Sequence, residues 1–196
     1  MNKQFMALGL VSALALSACA GNSDNNTATT DNMATMDTTV PANDAMMDNA
    51  MMSGVPASPS QAFADMAGAS DYYEVEAGKL AQEKATTQPL KDFGAMMVTA
   101  HTDTTEKLKA AGAKATPAIV PNPALNAEQE ANLAALRAAE GTAFDTTYKT
   151  QQVAAHEKAL AAMKDYAANG DVAEIKAFAA TTSKAVQMHL DKIKGM

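Results

Sequence analysis

Between Gly141 and Gly170 the chain reads GTAFDTTYKTQQVAAHEKALAAMKDYAANG, with large apolar residues at helical spacing and no internal proline or glycine. A helix over 142–168 is predicted, about 40 Å long at 1.5 Å per residue. An element of that length has to bury an apolar side along most of its extent. Aromatic content is 5% and Trp is absent, and Ala is abundant, which suits closely packed helices better than a sheet that needs Val, Ile and aromatic residues. The fold class expected is all-α.

The remaining punctuation divides the C-terminal three quarters into further helices. Ser58, Pro59 and Gln61 have the order of an N-cap, a first-turn proline and a capping-box partner. They open a helix expected to run to about Thr86, with Phe63, Met66, Tyr73, Glu76 and Leu80 along one side. Thr87-Gln88-Pro89 breaks it and starts a second helix, which carries Leu90, Phe93, Met97, His101 and Leu108 and ends at Gly112. Pro117, Pro121 and Pro123 make the stretch up to Asn126 a crossing loop. Asn126 and Gln129 cap a short helix through Leu133 and Leu136 that falters near Glu140-Gly141. After the long helix, Asn169-Gly170 marks a stop. Asp171 and Glu174 are then expected to cap a last helix carrying Ile175, Phe178, Thr182, Val186, His189 and Ile193. Four long helices, a crossing loop and a short extra helix describe an up-and-down four-helix bundle over 58–196.

The N-terminus reads differently. Residues 1–18 hold one positive charge, Lys3, and the short apolar run FMALGLVSALAL, which has the form of a secretory signal. The run ends Leu16-Ser17-Ala18-Cys19, which resembles the lipobox of bacterial lipoproteins. The resemblance implies a lipidated Cys19 at the mature N-terminus, and several acyl chains hold a protein on a membrane. Ala20 stands where an Asp favours inner-membrane retention, so the expected address is the periplasmic side of the envelope, as an outer-membrane lipoprotein. Residues 19–57 then form a tether of Asn, Asp, Thr, Ala and Met whose composition cannot offset the entropy of ordering it. Met33, Met36, Met46, Met47, Met51 and Met52 lie within it; thioethers are soft ligands, which makes a Cu(I)-collecting tail one reading and a spacer or oxidant sink the other. With 15 basic against 22 acidic residues the net charge is −7, and no nucleic-acid partner is expected.

The protein has three histidines, and each falls on the apolar side of a different predicted helix. Positions 4, 7 and 11 apart return to nearly one face. His101 lies four after Met97 and seven before Leu108; His189 lies eleven after Phe178 and four before Ile193. His156 lies four before Leu160 and shares its stripe with Gln152 and Asp145, with Tyr148 alongside. A buried imidazole left unpaired costs about 1–3 kcal/mol. His101, His156, His189 and Glu76, with Tyr73, Asp145, Tyr148 and Gln152 in support, are therefore the candidate set for zinc, iron or manganese. The alternative is a hydrogen-bonded network of structural histidines that fixes helix register in a non-enzymatic envelope protein. By the same arithmetic Glu74, Asp103, Glu157 and Asp191 are assigned to the solvent side.

The blocks Glu74-Val75-Glu76-Ala77-Gly78-Lys79-Leu80-Ala81, Met97-Val98-Thr99-Ala100-His101, Gly141-Thr142-Ala143-Phe144-Asp145 with Tyr148, Val153-Ala154-Ala155-His156-Glu157-Lys158-Ala159-Leu160, and His189 resemble, in this order, the bacterial domain of unknown function 4142. The resemblance implies a ferritin-like bundle and an envelope address and brings no activity with it. Di-iron ferritin-like enzymes carry Glu-x-x-His on two helices; here Val98, Val153 and Val186 stand three before the histidines. A di-iron oxidase is thereby disfavoured, and no Ser-His-Asp set, phosphate loop or Cys-His pair suggests another catalysis.

Overall fold

The computed structural model describes residues 57–196. Cys19, the segment 1–18 and the six tether methionines lie outside the described residues. Within them the chain forms five α-helices and no strand: α1 Pro59–Lys84, α2 Gln88–Gly112, α3 Ala127–Ala138, α4 Gly141–Asn169 and α5 Ala173–Lys194.

Local chemistry places most of the boundaries. Ser58 accepts a hydrogen bond from the Gln61 backbone N–H at 3.1 Å, with Pro59 in the first turn. The Gln61 side chain does not return to Ser58; it donates to Asp65 Oδ1 and to the Val120 carbonyl, pinning the crossing segment to α1. At α3 the reciprocal box between Asn126 and Gln129 is complete. Gly141 has φ +57°, the left-handed conformation that lets the chain turn from α3 into α4 without a Cβ penalty. Asp171 is not the cap expected for α5: its carboxylate accepts from the Tyr166 hydroxyl at 2.8 Å, and Val172 occupies the N-cap position without a side-chain bond.

Contact pairs give the sense of each helix. Gly78 meets Gly94 where Asp71 meets His101, so α1 and α2 are antiparallel. Phe63 stacks on Tyr166 and Tyr73 bonds Gln151, which makes α1 and α4 antiparallel as well. Glu157 with Lys194 and Lys164 with Gln187 give the same relation for α4 and α5. Hence α1 and α5 run one way and α2 and α4 the other, an up-down-down-up order and not the up-and-down alternation expected, because the crossing segment returns the chain to the end at which α2 began. Segment 113–126 and α3 carry the chain back along the length of the molecule, and α3 packs on α1 and α4.

The core forms two apolar clusters. One gathers Tyr73, Phe93, Leu133, Phe144 and Tyr148; the other gathers Phe63, Leu108, Ile119, Tyr166 and Phe178. On α1 and α2 the change from one to the other falls at Asp71 and His101. The stripes expected on α2 and α5 are buried throughout. On α1 the expected stripe is buried only in part: Phe63 and Tyr73 are buried, and Met66, Glu76 and Leu80 are half-buried. A second buried row runs beside it, Ser60, Ala64, Ala67, Asp71, Glu74, Gly78 and Ala81, spaced alternately four and three apart. Small residues line α1 because it lies close against α2. A Cβ at either Gly78 or Gly94 would stand 2.6 Å from the other's carbonyl oxygen.

Candidate metal centre

His101 on α2, His156 on α4 and His189 on α5 meet at one level in the interior. Ring centroids are 5.9 Å apart for His101 and His156, 5.7 Å for His101 and His189, and 5.6 Å for His156 and His189. One ring nitrogen from each lies within 4.8 Å of the other two, and all three residues are buried. Among the described residues no carboxylate shares that grouping.

What the other ring nitrogens do decides the chemistry. His156 Nδ1 stands 2.9 Å from the Gln152 carbonyl oxygen one turn back; a carbonyl only accepts, so this nitrogen carries the proton and Nε2 carries a lone pair. His101 Nδ1 is 2.7 Å from Asp71 Oδ1, and Asp71 Oδ2 takes a further bond from Thr105. His101 Nε2, His156 Nε2 and His189 Nδ1 are left buried without a hydrogen-bond partner. Such atoms cost about 1–3 kcal/mol each when unpaired. When His101 is neutral its proton, like that of His156, is committed outwards, and the two Nε2 lone pairs then have no donor between them. A single cation placed among the rings satisfies all three nitrogens at once.

Residues 41–196 match the family described as Domain of unknown function (DUF4142). The chain belongs to the DUF4142 family. No curated protein and no solved structure matches it. In this DUF4142 member the histidines come from three helices, and the fourth long helix, α1, supplies acidic residues around them.

Those acidic residues are not the ones expected. Glu76 lies at the surface in an ion pair with Lys79 at 2.7 Å, its side chain 26% exposed. The buried carboxylate is Glu74, with Oε1 3.7 Å from His156 Nδ1 and Oε2 unpartnered. Asp71, absent from the expected set, is the partner of His101. Asp145 also leaves the site: it accepts from the Thr86 backbone N–H at 2.9 Å and from the Thr86 hydroxyl, tying the α1–α2 link to the start of α4. Gln152 contributes its backbone oxygen to His156, while its buried carboxamide makes no hydrogen bond. Tyr148 packs its ring against Phe93 and Phe144 with its hydroxyl unpaired. Tyr73 donates to Gln151 Oε1 at 3.0 Å, and the Gln151 amide reaches the Asn132 carbonyl, joining α1 and α4 to α3. Asp103, Glu157 and Asp191 are exposed, as their spacing from the histidines implies.

The spacing of α1 contains the signal for both missed residues. Asp71 and Glu74 continue the four-three rhythm of Ala64, Ala67, Gly78 and Ala81, a row of small residues that large side chains conceal.

Electrostatics keep two of the rings available. Burial, with the charge of His101 beside them, pushes His156 down to about 4 and His189 down to about 3. Both are neutral near pH 7, the form that ligates metals. Burial also pulls on His101, but the hydrogen bond to Asp71 and the nearby carboxylates outweigh it and raise its pKa. Burial raises Asp71 in turn, against the pull of His101; the pair holds its proton firmly. Glu74 is pushed up to about 7 by burial, opposed by His101 and Gln152.

A cavity of about 270 Å³ leads to this centre between α1 and α4, beneath the Asn122–Asn126 backbone and α3, and touches Glu74, His101 and His156.

Proposed function

We propose that this domain binds one divalent transition-metal ion, zinc, iron or manganese, through His101, His156 and His189. The observation that carries the reading is one ring nitrogen from each of three buried histidines within 4.8 Å of the other two; each ring also has a buried nitrogen without a hydrogen-bond partner. Imidazole nitrogens bound to zinc at about 2.0–2.1 Å stand roughly 3.4 Å apart, so ligation asks for a closure of roughly 1.4 Å at most, which side-chain torsions supply. Two of the rings already donate outwards, His101 to a carboxylate and His156 to a backbone carbonyl, and such partners orient ligating histidines and raise their basicity.

The ferritin-like four-helix bundle belongs to the same reading. Its support is the helix sense, α1 and α5 against α2 and α4, with a crossing connection of the kind ferritin-like bundles use. We further place the protein on the periplasmic side of the outer membrane as a lipoprotein anchored through Cys19, where the bound metal serves envelope metal or oxidant stress. Met33, Met36, Met46, Met47, Met51 and Met52 support a Cu(I)-collecting tail; equal Cu(I) binding with and without 33–52 would dispose of it.

Metal content of the purified chain after loading and gel filtration tests the centre. One equivalent of tightly held metal is expected, falling below a tenth of that in each of His101→Ala, His156→Ala and His189→Ala. Substoichiometric metal unchanged by all three substitutions would leave the histidines as a register-fixing network, a reading favoured by the bonds from His101 to Asp71 and from His156 to Gln152, which need no ion.

A further inference from the structure

Three imidazoles leave a metal ion at least one coordination position short, the arrangement of zinc sites that take an exchangeable ligand rather than of closed structural sites. The cavity reaches His101 and His156 but not His189, so it arrives at the centre from the α1 side, on the face where protein ligands are lacking. Three imidazole ligands bring no negative charge, and a divalent ion held by them alone draws an anion to the open position. Part of the cavity wall is apolar and made by small side chains, Ala69, Ala155 and Ala159, with Met66 and Val186; Ser70, Asn132 and the carboxylates of Asp65 and Glu74 lie on the same lining. The Glu128–Lys158 ion pair, 2.6 Å and exposed, bridges α3 and α4 beside it.

Resting on the metal reading above, we propose that the cavity is a ligand site for a short-chain monocarboxylate, its carboxylate completing the metal's coordination and its few carbons lying along Ala69, Ala155 and Ala159. The alanines are what make the room: a larger side chain at Ala155 or Ala159 fills the place of the ligand's apolar body without touching the position of its carboxylate. Glu74 is a buried carboxylate on the same cavity wall, beside His156 Nδ1 and with its Oε2 unpartnered, and is the protein group to be tested as a competitor for that position.

The test uses the full chain loaded with Co²⁺, whose visible spectrum reports the number and kind of its donors, with bound cobalt quantified separately. Sodium azide probes the open position alone, and sodium butyrate probes the position together with the wall. Both anions are expected to change the spectrum saturably. In Ala155→Leu, butyrate binding weakens by about tenfold, corresponding to the loss of two or so buried methylenes, while azide binding and cobalt content stay as in the parent. Ala159→Leu supplies the same comparison if Ala155→Leu does not fold. Stoichiometric cobalt with no response to either anion overturns the ligand site and leaves the metal reading standing. A response that appears only in Glu74→Gln means that Glu74 closes the coordination sphere, and also overturns it. Butyrate binding unchanged by both leucine substitutions removes the cavity from the proposal. Absence of bound cobalt removes the metal reading, and this inference falls with it.

Discussion

Asp71 reaches across the α1–α2 interface to His101, and its role is to decide which nitrogen of that ring faces inwards. A carboxylate only accepts, so it holds the proton on Nδ1; an amide in its place can donate to Nδ1 and move the ring proton to Nε2, where it blocks a metal. Asp71→Asn is therefore expected to lower metal affinity by about 10–100-fold with the helical content unchanged, as read by competition with a chelator; parental affinity would show that Asp71 does not orient the ring. The same cluster shapes the pH dependence of the metal-free protein. His156 faces Glu74 from α1, His101 from α2 and His189 from α5, and Lys192 acts on His189. In the unfolded chain its imidazole takes a proton near 6.5; in the folded chain it does so only at about 4, and His189 at about 3. Their contribution to stability is thus complete above pH 6.5 and is lost as pH falls towards 4, and for His156 it amounts to about 3 kcal/mol. Glu74 acts in the opposite sense: it ionises near 4.5 when unfolded but only at about 7 when folded, so its contribution declines as pH rises between those values. Glu74→Gln should steepen the gain in denaturant midpoint from pH 4.5 to 6.5, and an unchanged slope would contradict the burial of that carboxylate. The histidines were legible because each sits in a row of large apolar residues. Asp71 and Glu74 were not, because their neighbours in the row are Ala and Gly, whose burial leaves little mark when side-chain size guides the eye.

Among the elements, α1 and α2 are held by backbone proximity rather than by interlocking side chains. A methyl group added at Gly94 would lie 2.6 Å from the Gly78 carbonyl oxygen and 2.8 Å from Ala81 Cβ, and neither a carbonyl nor a Cβ can swing aside. Overpacking of this kind costs about 1–3 kcal/mol or more, against a gain of about 1 kcal/mol in helix propensity. Gly94→Ala is expected to lower the thermal midpoint in spite of its better propensity, whereas a raised midpoint would mean that the two helices separate without loss. Helix existence and limits were largely legible: the long α4 begins one residue before its predicted start and ends one after its predicted stop. Caps were legible only where nothing tertiary competed. Asn126 and Gln129 found each other, while Gln61 was drawn to Asp65 one turn on and to the distant Val120 carbonyl, and Asp171 to the Tyr166 hydroxyl five residues back.

At the scale of the whole molecule, the address and the centre are separable. Cys19→Ala is expected to move the protein from the membrane fraction to the soluble periplasmic fraction while the metal content of the folded part stays the same; continued lipid uptake and membrane partition by that variant would contradict the lipoprotein assignment. The centre itself is spread across the chain, one histidine on each of α2, α4 and α5 and its acidic partners on α1. No short segment contains two of its ligands, and bringing them together means closing long loops whose entropy has to be met first. An ion therefore has nothing to gather in the nascent chain and cannot act as a seed for folding. An ion bound by the three histidines would enter a finished interior and tie α2 and α4 at mid-length to the last two turns of α5, so that local opening of any one of them would require either the loss of the ion or the movement of the other two.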